Sequence, residues 1–341
     1  MTQPITAPVT APTTGPLTAP STMRAVSQER GGAPDVLKVV ETERPDPGRG
    51  EILVRVRAAG VNPADWKLRE RGVFADGAMP PFTLGFDVAG VVEAVGAGVT
   101  IFQPGDEVFG MPRFPHQAGA YAEYVTAPAR HFAPRPRGLD HIQAGALPLA
   151  SLTAWQALVD TAHVRPGQRV LIHAAAGGVG HLAVQIAKAR GAYVIGTASA
   201  AKHDLVRTLG ADEVIDHRTQ DAGGTVRDID VVLDGIGGPN WARSLRTLRR
   251  GGTLVSLLPF DDTFPARQAE EAGVRAVFML VEPDRQGLRE ISALVEDGRL
   301  RVVVEAVFPL ERAVQAHELG EAGRTTGKIV LAVGDDPGAE S

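Results

Sequence analysis

The spacing of hydrophobic residues changes part-way along the chain, and the change predicts two kinds of structure. Between residues 23 and 125, short runs of Val, Ile and Leu alternate with polar residues or cluster between turn residues. This pattern is typical of short strands in a β-rich, partly barrel-like domain. The predicted strands lie within residues 23–26, 37–41, 51–60, 86–95, 104–109 and 118–125.

Helical spacing begins near Gln143 and then alternates with short apolar runs. These runs predict six strands, at residues 169–173, 192–197, 213–216, 230–233, 252–257 and 275–280. Strands that alternate with helices form a doubly wound parallel sheet, so the predicted fold class is α/β, with a six-stranded Rossmann sheet beside the β-rich domain. Helices at 287–296 and 310–321 then alternate with strands at 302–307 and 327–333.

The pattern also divides the chain into segments. Residues 1–22 carry no charged side chain and have a proline at every fourth position from Pro4 to Pro20, which predicts a disordered tail. The β-rich domain is predicted over 23–148, the Rossmann domain over 149–282, and a return to the first domain over 283–333. Residues 334–341 are predicted to be a short acidic tail.

A glycine-rich turn separates the first strand of the predicted parallel sheet from the helix that follows it. Ala175, Gly177 and Gly180 occupy the three positions of a dinucleotide-binding fingerprint. Such a turn lets the backbone approach a pyrophosphate, whose charge faces the helix N-terminus. An ordinary strand–helix turn without a ligand is the alternative. The predicted phosphate-binding residues are Ala176, Gly177, Gly178, Val179 and Gly180.

The end of the next strand predicts which dinucleotide binds. An NAD site places an acidic residue there for the ribose 2′-hydroxyl, but residues 196–203 contain none. Ser199 and Lys202 instead offer a hydroxyl and an ammonium, which suit a 2′-phosphate and predict NADP(H). The alternative is that Lys202 is one solvated charge, although the chain has only five lysines beside thirty arginines.

Composition removes several other functions. A net charge of −5 gives no basic surface for nucleic acid or an anionic membrane, and no run of about 18 apolar residues predicts a membrane span. The chain has no cysteine, and its nine histidines show no metal-binding spacing, so we predict no metal site. The absence of a signal-peptide pattern predicts a cytoplasmic protein.

Several motifs together resemble one family over residues 23–333. They are the segments 60–68, 84–93, 105–108, 147–155 and 174–180. In this order they resemble the medium-chain dehydrogenase/reductase superfamily, and most closely its zinc-free quinone oxidoreductase, or zeta-crystallin-like, branch. The resemblance implies a GroES-like catalytic domain, an inserted Rossmann domain, a cleft between the two domains and a homodimer.

The resemblance also implies roles for single residues. Asn62 matches an asparagine at the nicotinamide end of the cofactor, although an Asx-type turn before Pro63 is compatible with it as well. Thr153 matches a hydroxyl near the nicotinamide ribose; a threonine that bonds its own helix is the alternative. His217 stands near the adenosine phosphate, where the family often has tyrosine. Further cofactor contacts are implied for Asp234, Leu257, Leu258, Gly327 and Lys328.

The chemistry left to this chain is hydride transfer to a conjugated acceptor, because zinc-dependent relatives bind their metal through cysteine and histidine. The predicted protein is an NADPH-dependent, zinc-independent reductase of a quinone or of the C=C bond of an α,β-unsaturated carbonyl. Asn62 would position the nicotinamide, and Trp66 and Phe260 would line the acceptor pocket, with core packing as their alternative. A pathway-specific enoyl or polyketide-tailoring reductase and a non-catalytic NADPH-binding protein remain alternatives.

Overall fold

The structure is a computed structural model that describes residues 21–74 and 76–334. The predicted tails, 1–22 and 334–341, lie almost wholly outside these residues. The strands, in chain order, are β1 (Thr22–Gln28), β2 (Lys38–Glu43), β3 (Glu51–Val61), β4 (Phe82–Thr83), β5 (Val88–Val95), β6 (Glu107–Gly110), β7 (Tyr124–Pro128), β8 (Phe132–Pro134), β9 (Arg169–Ile172), β10 (Tyr193–Ala198), β11 (Glu213–Asp216), β12 (Ile229–Asp234), β13 (Leu248–Ser256), β14 (Arg275–Phe278), β15 (Val304–Pro309) and β16 (Lys328–Ala332).

Helices connect most of the later strands. The α-helices are α1 (Pro63–Arg71), α2 (His141–Gly145), α3 (Pro148–Trp155), α4 (Gly180–Ala189), α5 (His203–Thr208), α6 (Ala222–Thr225), α7 (Pro239–Thr247), α8 (Ala266–Ala272), α9 (Arg285–Glu296) and α10 (Ala313–Glu321). A π-helical turn at Gln156–Thr161 extends α3. Short 3₁₀ turns cover Pro34–Val36, Ala129–His131, Ala200–Lys202 and Leu310–Arg312.

The six later strands β9–β14 form one parallel sheet, in the order β11-β10-β9-β12-β13-β14. Val170 of β9 pairs with Val194 on one side and Val231 on the other, and all three residues are buried. A central parallel strand is covered on both faces, which explains the unbroken apolar run from Val170 to Ile172. The doubly wound sheet confirms the predicted α/β fold class.

The β-rich part contains a seven-stranded sheet and a small three-stranded sheet. The larger sheet has the order β15-β16-β3-β5-β6-β8, and β7 also pairs with β3; the smaller one has the order β2-β1-β4. β16 pairs antiparallel with β3, where Val330 lies opposite Gly60. Residues 304–332 therefore complete the sheet that β3 begins. The domain bounds given above stay predictions.

Two of the strands predicted in the β-rich part begin later in the structure than expected. The strand predicted at 86–95 begins at Val88, because Gly85 has a φ of +100° and the backbone of Leu84 and Gly85 accepts hydrogen bonds from Tyr121 and Ala120. The strand predicted at 118–125 begins at Tyr124, since the residues before it make these loop contacts. Long-range loop packing replaces ladder pairing at both places.

Candidate active site

The glycine-rich turn between β9 and α4 packs tightly, because Gly180 at its end and Gly196 on the neighbouring strand β10 each lack room for a side chain. A Cβ atom on Gly180 would lie 2.1 Å from the Ala174 carbonyl oxygen. Ala174 itself has a φ of +50°, and its carbonyl accepts the Gly177 N–H at 2.8 Å. Gly196 of β10 leaves room for the Ala175 side chain, since a Cβ at 196 would lie 2.7 Å from that methyl group. The alanine in the fingerprint is thus accommodated by a glycine on the next strand.

A first cavity, which we call the inner pocket, lies beside the N-terminus of α4. It has a volume of about 240 Å³, and its walls include Asn62, Trp66, Gly178, Val179 and Lys328. Gly327 also lines this pocket, and its N–H donates to the Ala176 carbonyl at 2.9 Å. The structure therefore brings the predicted phosphate turn together with two segments of the β-rich part: Asn62, which follows β3, and residues 327–328 at the start of β16.

A second cavity, the outer pocket, lies at the carboxyl ends of β9 to β12. Its volume is about 400 Å³, and its walls include His173, Thr197, His217, Asn240 and Arg243. Of the predicted site residues, His217 lines this cavity. Burial lowers the pKa of His173, whose ring nitrogens contact Thr197 and Ser244. The carboxyl ends of parallel strands are where ligands bind in such sheets.

Asn62, Asp87 and Lys328 form a buried cluster at the floor of the inner pocket. Asn62 Nδ2 donates to Asp87 Oδ2 at 2.8 Å, and Lys328 Nζ lies 3.4 Å from the same oxygen. Lys328 also donates to Asn62 Oδ1 and, at 3.1 Å, to the Val61 carbonyl. Burial raises the pKa of Asp87, and the Lys328 ammonium opposes that rise. Sequence reasoning missed Asp87, which lies within residues 86–95, a stretch interpreted only as a strand.

A second buried carboxyl lies near this cluster. Asp65 Oδ2 accepts the Asn62 backbone N–H at 2.8 Å, whereas its Oδ1 finds no hydrogen-bond partner among the residues the structure describes. Burial raises the pKa of Asp65 to about 7, with the nearby Asp87 adding to the rise. Asp87 accepts hydrogen bonds from three donors, whereas Asp65 accepts the Asn62 N–H, so the surroundings of Asp87 favour a carboxylate more than those of Asp65 do.

The predicted 2′-phosphate residues lie directly after β10. Ser199 precedes the 3₁₀ turn at Ala200–Lys202, and Lys202 Nζ donates to the carbonyls of Arg324 at 2.7 Å and Thr325 at 3.1 Å. Lys202 is therefore held against a loop of the catalytic part and is not a freely solvated charge. Arg324, an exposed residue of that loop, is a neighbour that sequence reasoning missed.

Four other predicted residues make contacts within the protein. Thr153 donates to the Leu149 carbonyl at 2.7 Å, the contact that its alternative interpretation describes. Both Asp234 oxygens are engaged, by the N–H groups of residues 236 and 237 and by the side chains of Asn240 and Ser244. The N–H of Leu257 donates to the Asp234 carbonyl, and that of Leu258 contacts Ser256 Oγ. Cofactor roles for these residues stay predictions.

Phe260 lies in an aromatic cluster with Trp241 and Phe264, at ring-centroid distances of 5.4 and 4.0 Å. Trp66, by contrast, lines the inner pocket. The ring contacts of Phe260 match its core-packing alternative, and an acceptor pocket formed by Trp66 and Phe260 stays a prediction.

The hydroxyls of Tyr121 and Tyr193 contact side chains outside the inner pocket. Tyr121 is fully buried with its hydroxyl 3.3 Å from His317 Nε2, and burial raises its pKa well above the usual value. Tyr193 donates to Glu213 at the surface. Within residues 21–74 and 76–334, no group of three or more metal-binding side chains occurs, and no helix is long and apolar enough to cross a bilayer.

Comparison with known proteins identifies relatives over most of the chain. A family model described as Alcohol dehydrogenase GroES-like domain matches residues 48–137, and one described as Zinc-binding dehydrogenase matches residues 209–331. A chloroplastic quinone-oxidoreductase homolog from Spinacia oleracea is 35% identical over 317 residues, which cover 88% of this chain and 95% of that protein. A segment of the pikromycin polyketide synthase component PikAII from Streptomyces venezuelae is 40% identical over 315 residues, covering 87% of this chain and 8% of that protein.

Solved structures share the fold at similar identity. The Escherichia coli quinone oxidoreductase complexed with NADPH has a TM-score of 0.82 and 31% identity, covering 91% of this chain and 99% of that chain. A structure named NAD-dependent alcohol dehydrogenase has a TM-score of 0.84 and 35% identity, covering 92% of this chain and 100% of that chain.

Replacing Asp65 by Asn should make stability less dependent on pH. The folded-state pKa of about 7 lies above the ordinary 3.8, so the stability that protonated Asp65 contributes is lost as pH rises between these values. The unfolding free energy of Asp65→Asn relative to wild type should therefore rise with pH from 4 to 7, most steeply near pH 5.5, where the slope approaches about 1.4 kcal/mol per pH unit. Urea unfolding at each pH measures it, with exposed Asp46→Asn as control; a flat difference would contradict the prediction.

Proposed function

The chain belongs to the medium-chain dehydrogenase/reductase superfamily, in its quinone oxidoreductase branch, and we propose that it is an NADPH-dependent, zinc-independent reductase. Its acceptor would be a quinone or the C=C bond of an α,β-unsaturated carbonyl. The observation that carries this proposal is the end of β10, where Ser199 and the anchored Lys202 stand in place of an acidic residue. This cationic position favours a 2′-phosphate over a 2′-hydroxyl.

The residues present fit a dinucleotide along the carboxyl edge of the parallel sheet. The turn at residues 176–180 would hold the pyrophosphate, because it lies at the N-terminus of α4, where free N–H groups face an anion. The absence of a side chain at Gly180 lets this turn close tightly. The outer pocket, with His217, would hold the adenosine end, and the inner pocket the nicotinamide end. When bound, NADPH supplies the hydride.

The protein's own contribution would be positioning. Asn62 and Lys328 at the inner pocket fix polar contacts, while Trp66 and Val179 give an apolar wall for a flat acceptor. In an enone, hydride adds to the β-carbon and a proton to the α-carbon; in a quinone, hydride and a proton give the hydroquinone. The proton would come from water, since the tyrosine hydroxyls lie elsewhere.

We propose zinc independence from the sequence, although one matching family model carries zinc in its description. The chain has no cysteine to serve as a thiolate ligand. A conjugated acceptor is already polarised, so it needs alignment more than it needs a Lewis acid.

A second candidate acceptor is an enoyl thioester of the kind handled in polyketide assembly. Its support is the 40% identity to a segment of PikAII, which exceeds the 35% identity to the spinach quinone-oxidoreductase homolog. The fold and cofactor would serve this reaction equally, because the thioester carbonyl also polarises the adjacent C=C bond.

We further propose a homodimer formed through β14. This strand is the edge of the six-stranded sheet, and Phe278 and Leu280 beside it are 38% and 51% exposed. An exposed apolar sheet edge readily pairs with a second copy, and such contacts are usually two-fold symmetric.

Chelator-dialysed protein should oxidise NADPH steadily with at least one acceptor among naphthoquinone, a cyclic enone and an enoyl thioester. The expected kcat/KM is at least tenfold higher with NADPH than with NADH, because only NADPH reaches Lys202 with its phosphate. Preference for the thioester would select the second candidate. Tight NADPH binding without turnover of any acceptor would instead indicate a binding protein, and equal use of NADH would contradict the cofactor assignment.

Lys202→Ala should weaken NADPH binding about tenfold to a hundredfold more than NADH binding, since one charge-assisted phosphate contact contributes roughly 1.5–3 kcal/mol. The quantity to compare is the ratio of the NADPH and NADH dissociation constants. Lys202 also holds the 324–325 loop, and loosening that loop would affect the binding of both cofactors alike. Fluorescence titration measures both affinities, and Lys38→Ala, an exposed lysine on β2, is the matched control. A ratio unchanged from wild type would remove Lys202 from the phosphate site.

Leu280→Asp should convert the dimer to monomer in sedimentation velocity, because a buried unpaired carboxylate at the interface is costly. Val307→Asp places the same charge on β15, the edge strand of the seven-stranded sheet, and should leave the dimer intact. Dissociation by Val307→Asp alone would move the interface to β15, and a monomeric wild type would exclude the proposal.

A further inference from the structure

Asp87 joins three separate segments that line the inner pocket, although it is fully buried behind them. Its Oδ1 accepts the Leu149 N–H at 2.6 Å, in the first turn of α3. Its Oδ2 accepts the Asn62 side-chain amide at 2.8 Å and lies 3.4 Å from Lys328 Nζ. One carboxylate therefore contacts the turn before α1, the start of α3 and the start of β16.

These contacts settle which way the Asn62 amide points. Lys328 Nζ carries only donors, so the atom that it meets is the oxygen Oδ1; Asp87 Oδ2 carries only lone pairs, so the atom facing it is Nδ2. The reversed amide would place donor against donor and acceptor against acceptor. Asn62 is only 1% exposed, so a mismatch of donors and acceptors there would be costly.

The packing around the carboxylate leaves little freedom for this arrangement to relax. A Cβ atom on Gly60 would lie 2.5 Å from Asp87 Oδ2 and 2.6 Å from the Gly145 carbonyl oxygen. The backbone at Gly60 thus approaches the carboxylate as closely as a residue without a side chain permits. A buried ion pair is a poor means of gaining stability over apolar packing, so its benefit is better sought in the geometry it imposes.

We propose that Asp87 is a positioning residue for hydride transfer: with Lys328 it holds the Asn62 amide in one orientation at the inner pocket. The proposal rests on the proposed function, in which Asn62 faces the reacting end of the cofactor. Asp87 touches neither cofactor nor acceptor, and acts through the angle and register of the Asn62 side chain. Misplacing such a group lowers the rate more than it lowers the affinity of remote contacts.

The kinetic test replaces Asp87 by Asn, which keeps its size and its acceptor for Leu149 but turns a donor toward Asn62 and Lys328. Single-turnover hydride transfer at saturating NADPH should slow at least tenfold, while the NADPH Kd stays within about threefold, because the outer pocket and Lys202 are unchanged. Asp212→Asn is the matched control, since Asp212 also pairs with a lysine, Lys188, and accepts a backbone N–H. Its hydride-transfer rate should stay within twofold of wild type.

A second readout does not depend on turnover. The side-chain amide resonances of Asn62, identified by their absence in Asn62→Ala, should move in Asp87→Asn and stay in place in Asp212→Asn. If wild type reduces no acceptor, the proposed function fails, yet this signal still tests the Asp87–Asn62 contact. An unmoved signal, or a hydride-transfer rate within twofold of wild type, would overturn the positioning role.

If Asp87→Asn does not fold, the double variant Asp87→Asn with Lys328→Met takes its place, because it removes both buried charges together. We expect it to melt above the Lys328→Met single variant and still to transfer hydride at least tenfold more slowly than wild type. That combination would show that the folded protein transfers hydride slowly once the contacts of Asp87 and Lys328 to Asn62 are lost, which a purely structural role would not produce. Wild-type hydride transfer in the double variant would overturn the proposal.

Discussion

The ammonium of Lys328 meets the carboxylate of Asp87 where both side chains are almost fully buried, and the inner pocket is built around that contact. Bringing two charges out of water is costly unless the remaining donors and acceptors are satisfied. Here the Val61 carbonyl, the Asn62 amide and the Leu149 N–H satisfy them. The cost is thus offset only when three segments lie in one arrangement, which gives the pocket a defined shape.

The segment from Arg324 to Lys328 connects this cluster to the rest of the cleft. Its first residues accept hydrogen bonds from Lys202, the N–H of Gly327 donates to Ala176, and Lys328 reaches Asn62. This segment therefore contacts Lys202, the glycine-rich turn and Asn62, which are the positions proposed for the 2′-phosphate, the pyrophosphate and the nicotinamide. Residues 324–328 thus link the seven-stranded sheet to the carboxyl edge of the parallel sheet.

The fold could be predicted from the sequence because its signals are local. The apolar run of β9, the glycine-rich turn and the alternation of strands with helices all depend on neighbours in the chain, and the strand order confirmed them. Asp87 and Phe260 show what such signals leave open. The residues next to Asp87 in the sequence do not indicate that its partner is Lys328 on β16. An aromatic residue after a strand, such as Phe260, can equally line a pocket or pack against Trp241. Side-chain partners across long distances are set only once the sheets assemble.

Ala175 illustrates the same limit in the opposite direction. An alanine at a fingerprint position weakens the motif when the motif is considered alone, yet Gly196 on the adjacent strand leaves the space that Ala175 fills. The pair conserves the volume between turn and strand, so the departure from the pattern costs the turn nothing.

The position of β16 also affects how the chain can fold as it is synthesised. Val61 and Lys328 are 267 residues apart, and the entire parallel sheet lies between them in sequence. Until residues 328–332 emerge, the segment 58–61 of β3 lacks the strand that covers its edge, and Asp87 lacks its cation. Contacts so distant in sequence slow the completion of the seven-stranded sheet and leave an unpaired strand edge on the nascent chain, where another chain can pair. The parallel sheet, whose contacts are closer in sequence, can form first, and chaperone protection would matter most for the domain translated earliest.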